Sequence, residues 1–204
     1  MRVHPLVPGL AVGLVLALGG CGSDDEETTT SASTGTTAAQ SASTTASGAT
    51  SGTEITGTGY RTTVPQGWQD ASARTAGTAI RIDKTYAEPG TSASEFAANV
   101  VIIRENPASL KGVKIEQLEK QLREQAATSL SAPVPDAEDP LKLDGDDAVR
   151  WTLRRTQGDQ ELVQRQIASI HDDALYTVTV STAADDDADG EQHAQTIIDG
   201  WKWE

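Results

Sequence analysis

The chain has 204 residues and a formal charge of −14, from 16 Lys and Arg against 30 Asp and Glu. That balance argues against nucleic acid, whose phosphates demand a basic face, and against a polybasic patch on anionic lipid. One cysteine, Cys21, leaves no intrachain disulfide framework and no Cys-built zinc site, and the three histidines starve general-base and metal chemistry.

Residues 1–20 open with Arg2 and continue through Leu10, Val12, Leu14, Val15, Leu16 and Leu18, the layout of a secretory signal peptide. Pro8 and Gly9 interrupt the run, which is too short for a permanent membrane span of about 20 apolar residues. Leu18-Gly19-Gly20-Cys21 resembles the bacterial lipobox, with an aliphatic residue three before the cysteine and small residues between. In that reading Cys21 is the lipid-attachment residue and the first residue of the mature protein. Two or more acyl chains give firm attachment, where one gives only marginal binding.

Positions 22–58 are Gly, Ala, Ser or Thr, except for Asp24, Asp25, Glu26, Glu27, Gln40, Glu54 and Ile55. With no aromatic residue and one branched aliphatic, nothing offsets the entropy of ordering the backbone. The expectation is a disordered tether spanning residues 21–58 together with the lipidated cysteine, its Ser and Thr open to O-glycosylation. A flexible coil of that length has an end-to-end distance of roughly 30–36 Å.

Residues 59–204 hold every aromatic residue of the chain and read as one domain. Strands are predicted over 59–65, closed by Pro65-Gln66-Gly67-Trp68, over 78–86, and over 98–104, where Val100 to Ile103 suggest a strand covered on both faces. Over 114–130, Ile115, Leu118, Leu122, Ala126 and Leu130 form one apolar stripe of a helix, ended before Pro133 and Pro135. Four strands in hairpin order follow, over 140–143, 147–156, 162–171 and 175–182, with turns at Asp144-Gly145, Gln157-Gly158-Asp159 and Asp172-Asp173. A last helix from about Asp189 to Trp201 packs Ala194, Ile197 and Ile198. The predicted fold class is α+β, a largely antiparallel β-sheet flanked by helices.

The opening Tyr60, Val64, Pro65, Gly67, Trp68 pattern and the closing Ile198-Asp199-Gly200-Trp201-Lys202-Trp203 resemble the PsbP-like domains. Lipobox, Ser/Thr-rich tether and such a domain together resemble the LpqN/LpqT-type lipoproteins of actinobacteria. The resemblance implies an αβα sandwich displayed outside the cytoplasmic membrane, without a catalytic centre or functional residues to transfer.

Candidate chemistry is thin. Asp185, Asp187 and Asp189 with Gly190 match the first half of a calcium loop, but Thr196 stands where a bidentate Glu is needed. An acidic turn whose last Asp caps the final helix is the competing reading. His171 reads as an exposed turn residue and His193 as an outer helix position. Arg150, Arg154, Arg155 and Arg165 cluster on adjacent strands, either to meet an anionic partner or to pair with Asp146, Asp159 and Glu161. Of Trp201 and Trp203, one is expected in the core and the other as a cover.

No nucleophile and base stand out, no cofactor is implied, and the expectation is not an enzyme. The function expected is a membrane-anchored, extracytoplasmic binding or adaptor module of the cell envelope. Its partners are the membrane, through the lipid, and an envelope protein. The alternative is a carrier of a lipid or small apolar ligand.

Overall fold

A computed structural model describes residues 52–75, 80–90 and 96–204. Among them the chain runs through β1 (Gly52–Gly57), β2 (Tyr60–Pro65), β3 (Gln69–Asp70), α1 (Ser72–Thr75), β4 (Ile82–Ala87) and β5 (Asn99–Glu105). It continues through α2 (Glu119–Leu130), β6 (Leu141–Leu143), β7 (Asp146–Gln157), β8 (Gln160–His171), β9 (Ala174–Ala183), α3 (Asp187–Gly200) and β10 (Lys202–Trp203). Cys21 and the segment up to residue 51 lie outside the described residues.

Turn chemistry builds the larger sheet. Asp144 and Gly145, at φ 46° and 96°, and Asp172 and Asp173, at 48° and 59°, supply the left-handed pairs that two-residue hairpins require. Together with Gly158 at φ 60° they fold β6 to β9 into an antiparallel meander. Its last strand, β9, pairs with β5 rather than with solvent, giving the order β3-β4-β5-β9-β8-β7-β6, antiparallel throughout. Central β9 is buried along its whole length.

The link from β5 to β6 must cross from the inner strands to the far edge, and it carries α2 over one face. Leu122, Ala126 and Leu130 of α2 pack there with Val149, Trp151, Leu153 and Leu175. Ile115 belongs to the same core, and the predicted stripe is the observed one. The helix itself starts later than expected, because Ile115–Gln117 form a 3-10 turn ahead of Glu119. Ser131, at φ 52°, ends it with its backbone N–H on Ala127 and Thr128 carbonyls.

The opposite face is covered by α3 and a second, three-stranded sheet of order β1-β2-β10. Tyr60 and Val64 from β2, Val100, Ile102, Tyr176, Val178 and Val180 from the large sheet, and Ile197 and Trp201 form its core. The result is the expected α+β arrangement with helices on both faces.

The small sheet corrects one boundary. β1, Gly52–Gly57, is part of the folded domain although it lies within the stretch read from composition as tether up to 58. β1 pairs residue for residue with β2, from Gly52 opposite Pro65 to Gly57 opposite Tyr60. Ile55, the one branched aliphatic of that stretch, is 5% exposed in the core. A Thr/Gly segment too weak to order itself is ordered by a partner edge and one apolar anchor.

Candidate functional site

Pro65 ends β2, and Gly67 takes φ 89°, a conformation that suits glycine. The backbone N–H of Trp68 then donates to the Pro65 carbonyl at 3.3 Å, and the indole drops inward until it is 8% exposed. Beyond β4, the Glu88 N–H donates to the Ala98 carbonyl at 2.8 Å, holding Glu88 beside that turn. A 3-10 turn at Ala184–Asp186 leads into α3. Spacings of three and four put Asp186, Asp189 and His193 on one side of that helix.

These pieces enclose an open cleft of about 360 Å³, lined among others by Trp68, Glu88, Thr182, Asp186, Asp189 and His193. The His193 ring stands edge-on to Trp68, with centroids 5.0 Å apart and planes at 69°. Burial holds its imidazole below the ordinary value, against the opposing pull of Asp189 and Glu88. His193 is therefore half-buried in a cleft wall rather than on the outer side of its helix.

The other side of α3 faces the sheet. Asp187 and Glu191, four apart, meet three arginines. Arg165 bonds Asp187 through Nη2 and Glu191 through Nε at 2.8 Å, and Arg154 reaches Asp187 at 2.5 Å. Arg150 lies 3.4 Å from Glu138 and 4.0 Å from Glu191. Hydrogen bonds from Arg154 and Arg165 hold the Asp187 carboxyl below the usual range.

This network corrects two expectations. The arginine partners come from α3 and the segment before β6, not from Asp146, Asp159 and Glu161. Strand alternation also sends Arg155 to the α2 face, where it bonds Gln157 and where burial lowers its pKa. The remaining three arginines already face three carboxylates.

The three aspartates of the calcium-like motif go separate ways. Asp185 is exposed in the 3-10 turn, Asp187 is committed to the arginines, and Asp189 lines the cleft. No side chain makes a capping hydrogen bond at the start of α3, so Asp189 is a first-turn residue, not a cap. Among the described residues no three His, Cys, Asp or Glu side chains form a group able to hold a metal ion.

At the opposite end of β2 the aromatic residues gather. Trp201, 1% exposed, stacks on Tyr60 with centroids 4.4 Å apart, and half-buried Trp203 covers it edge-on at 5.3 Å. One tryptophan is core and the other a cover, as expected. His171 is no free turn residue: its Nδ1 is 2.7 Å from the Asp146 carboxylate.

Sequence reading missed the cleft because its walls come from three distant parts of the chain. The Pro65-Gln66-Gly67-Trp68 turn was legible as structure, but nothing in its spacing points to Glu88 or His193.

No family model matches the chain, and no curated protein matches it in sequence. Among solved structures, the cyanobacterial PsbP (CyanoP) of Synechocystis sp. PCC 6803 superposes with a TM-score of 0.56 at 16% identity, covering 80% of this chain and 98% of that one. LpqN of Mycobacterium tuberculosis, described as involved in cell envelope biogenesis, gives a TM-score of 0.45 at 11% identity, covering 74% of this chain and 84% of that one. The likeness to CyanoP is one of fold, and it matches the sandwich described above.

Proposed function

We propose that the chain is a lipid-anchored, extracytoplasmic module of the cell envelope that binds a partner and performs no catalysis. The observation that carries this reading is the placement of Cys21, the one cysteine of the chain, directly after Leu18-Gly19-Gly20 at the end of an apolar run. Among the described residues no helix is long and apolar enough to cross a membrane. The proposed anchor is the acyl group on Cys21. Lipobox, Ser/Thr-rich tether and PsbP-like domain, in that order, support placement with the LpqN/LpqT-type lipoproteins.

The domain supports binding over carriage. A lipid carrier needs a cavity of several hundred Å³. Between α3 and the sheet, around Trp151, Ile167, Ala194 and Ile198, the gap is about 10 Å³, room for one water. Of these two openings the cleft at Trp68 is the larger, and Glu88, Asp186 and Asp189 are among the residues that line it.

Metabolic labelling with palmitate in a bacterial host tests the anchor. The full chain should take up label and sediment with membranes, and Cys21→Ala should do neither. An unlabelled wild-type chain would overturn the proposal. Stoichiometric lipid copurifying with the detergent-extracted protein would favour the carrier instead.

A further inference from the structure

α3 is held to the rest of the fold in two unlike ways. From Ala194 on it is anchored in the apolar core. Ala194 and Ile197 are 4% and 0% exposed, and the Thr62 hydroxyl donates to the Ile197 carbonyl at 2.7 Å. Trp201, directly after the helix, stacks on Tyr60 in that core. Over residues 187–193 only Gly190 is buried, and the side-chain bonds to the sheet are ionic.

Arg165 donates to the Asp187 carboxylate and backbone carbonyl and to Glu191, Arg154 reaches Asp187, and Arg150 lies 4.0 Å from Glu191. Exposed pairs of this kind hold weakly, and the Arg154 and Glu191 side chains are 62% and 59% exposed.

Two further features work against docking of this half. At Gly190 the helix backbone lies so close to the sheet that a methyl group there would stand 2.6 Å from Thr182 Oγ1 and 2.7 Å from Arg165 Nη1. Both atoms are buried, and neither finds a hydrogen-bond partner among the described residues. Docked, they stay unsatisfied; with the helix lifted off, they meet water. The helix start is no firmer, since no side chain caps it and a glycine in a helix interior is unfavourable.

A hinge lies where the two halves meet. The Thr196 hydroxyl donates to the Gln192 carbonyl at 2.9 Å, sharing it with the helix's own N–H, an arrangement that loosens and bends helices. Two turns detached from the sheet are too short to stay helical alone, so release of the ion pairs means unwinding.

We infer that the first two turns of α3 are a charge-latched flap, opening independently of the rest of the helix and gating the cleft at Trp68. Asp189 and His193 lie on the flap and Asp186 just ahead of it, so opening removes one wall of the cleft. The edge contact of His193 with Trp68, at 5.0 Å, is then broken and the indole uncovered. The flap does not depend on the anchor at Cys21.

Native-state hydrogen exchange of the ¹⁵N-labelled full chain in detergent micelles tests this, across urea concentrations below the unfolding transition. The amides of residues 191–194 bond the carbonyls of 187–190, and those of 198–200 bond 194–196. The first group should exchange at least about a hundredfold faster than the second, through an opening insensitive to urea. Asp187→Asn with Glu191→Gln should speed the first group at least about fivefold. Arg154→Gln leaves the helix sequence untouched and should still speed it at least about twofold, which separates lost docking from lost helix propensity. Asp159→Asn, an exposed acid in the turn between β7 and β8, should leave it unchanged.

Equal rates in the two groups, with the same urea dependence, would show that α3 opens as one unit and would overturn the inference. Unchanged exchange at residues 191–194 in the double variant or in Arg154→Gln would do so too, because the latch would then not be ionic.

Discussion

The imidazole of His171 lies flat on the indole of Trp203, with centroids 4.3 Å apart and planes within 2° of parallel. The contact joins the last residue of β8 to the two-residue strand that ends the fold. Trp203 is held there from other directions too. Its Nε1–H donates to the Leu143 carbonyl at 2.9 Å, and its backbone N–H donates to the Asp144 carboxylate at 2.9 Å.

Trp203→Ala should therefore cost about 2–3 kcal/mol, below the loss for a fully buried tryptophan because the ring is half-exposed. Urea unfolding monitored by circular dichroism checks the value. A loss under about 0.5 kcal/mol would mean that the stack is a passive surface contact.

Ile55→Ala distinguishes a tether residue from a core residue. If residues up to 58 were unstructured, the change would be silent. Ile55 is 5% exposed and belongs to the core beneath α3, so a loss of about 2–4 kcal/mol is expected in the same unfolding assay.

These two residues show what the sequence could and could not reveal. The strands of the meander were readable because alternation and the Asp144-Gly145 and Asp172-Asp173 turns act locally, over a few residues. The α2 stripe was readable for the same reason, since its period lies within the helix. β1 was not, because a Thr/Gly strand becomes a strand only when β2 is beside it. The cleft was illegible on the same ground: Trp68, Glu88 and His193 are neighbours only through the order of the strands and the docking of α3. His171 looked like a free turn residue because its partners, Asp146 and Trp203, lie far off along the chain.

Tyr60→Phe should be neutral or slightly stabilising. The Tyr60 hydroxyl is buried with no well-formed hydrogen bond, and burial first, then the Asp83 carboxylate near enough to interact with it, holds its pKa far above the ordinary phenol value. Removing that oxygen removes a desolvation cost and keeps the ring stacked on Trp201. A melting temperature lowered by several degrees would show that the hydroxyl has a partner in solution.

Asp187 links stability to pH. Arg154 and Arg165 depress its carboxyl, so the folded chain binds fewer protons here than the unfolded one across the acid range. The contribution is complete above the ordinary carboxylate range and is lost as pH falls through that range toward the depressed folded value. Asp187→Asn should be less stable than wild type by about 0.5–1 kcal/mol at neutral pH, with the gap closing below about pH 4. Paired urea melts at several pH values check this, and a gap independent of pH would refute the linkage.

The register of β1 on β2 also has a mechanical meaning. Gly52, where the described chain begins, sits at the open end of the hairpin, opposite Pro65, while the turn at Thr58 and Gly59 closes the far end. A pull arriving from the N-terminal side would load the pairs one at a time, unzipping rather than shearing them. Peeling would run past Ile55 to Thr58, where a backbone N–H and a hydroxyl clamp the chain to Asp83 at 3.0 and 2.6 Å. About 20 Å of strand would thus be released as slack before tension reaches the larger sheet.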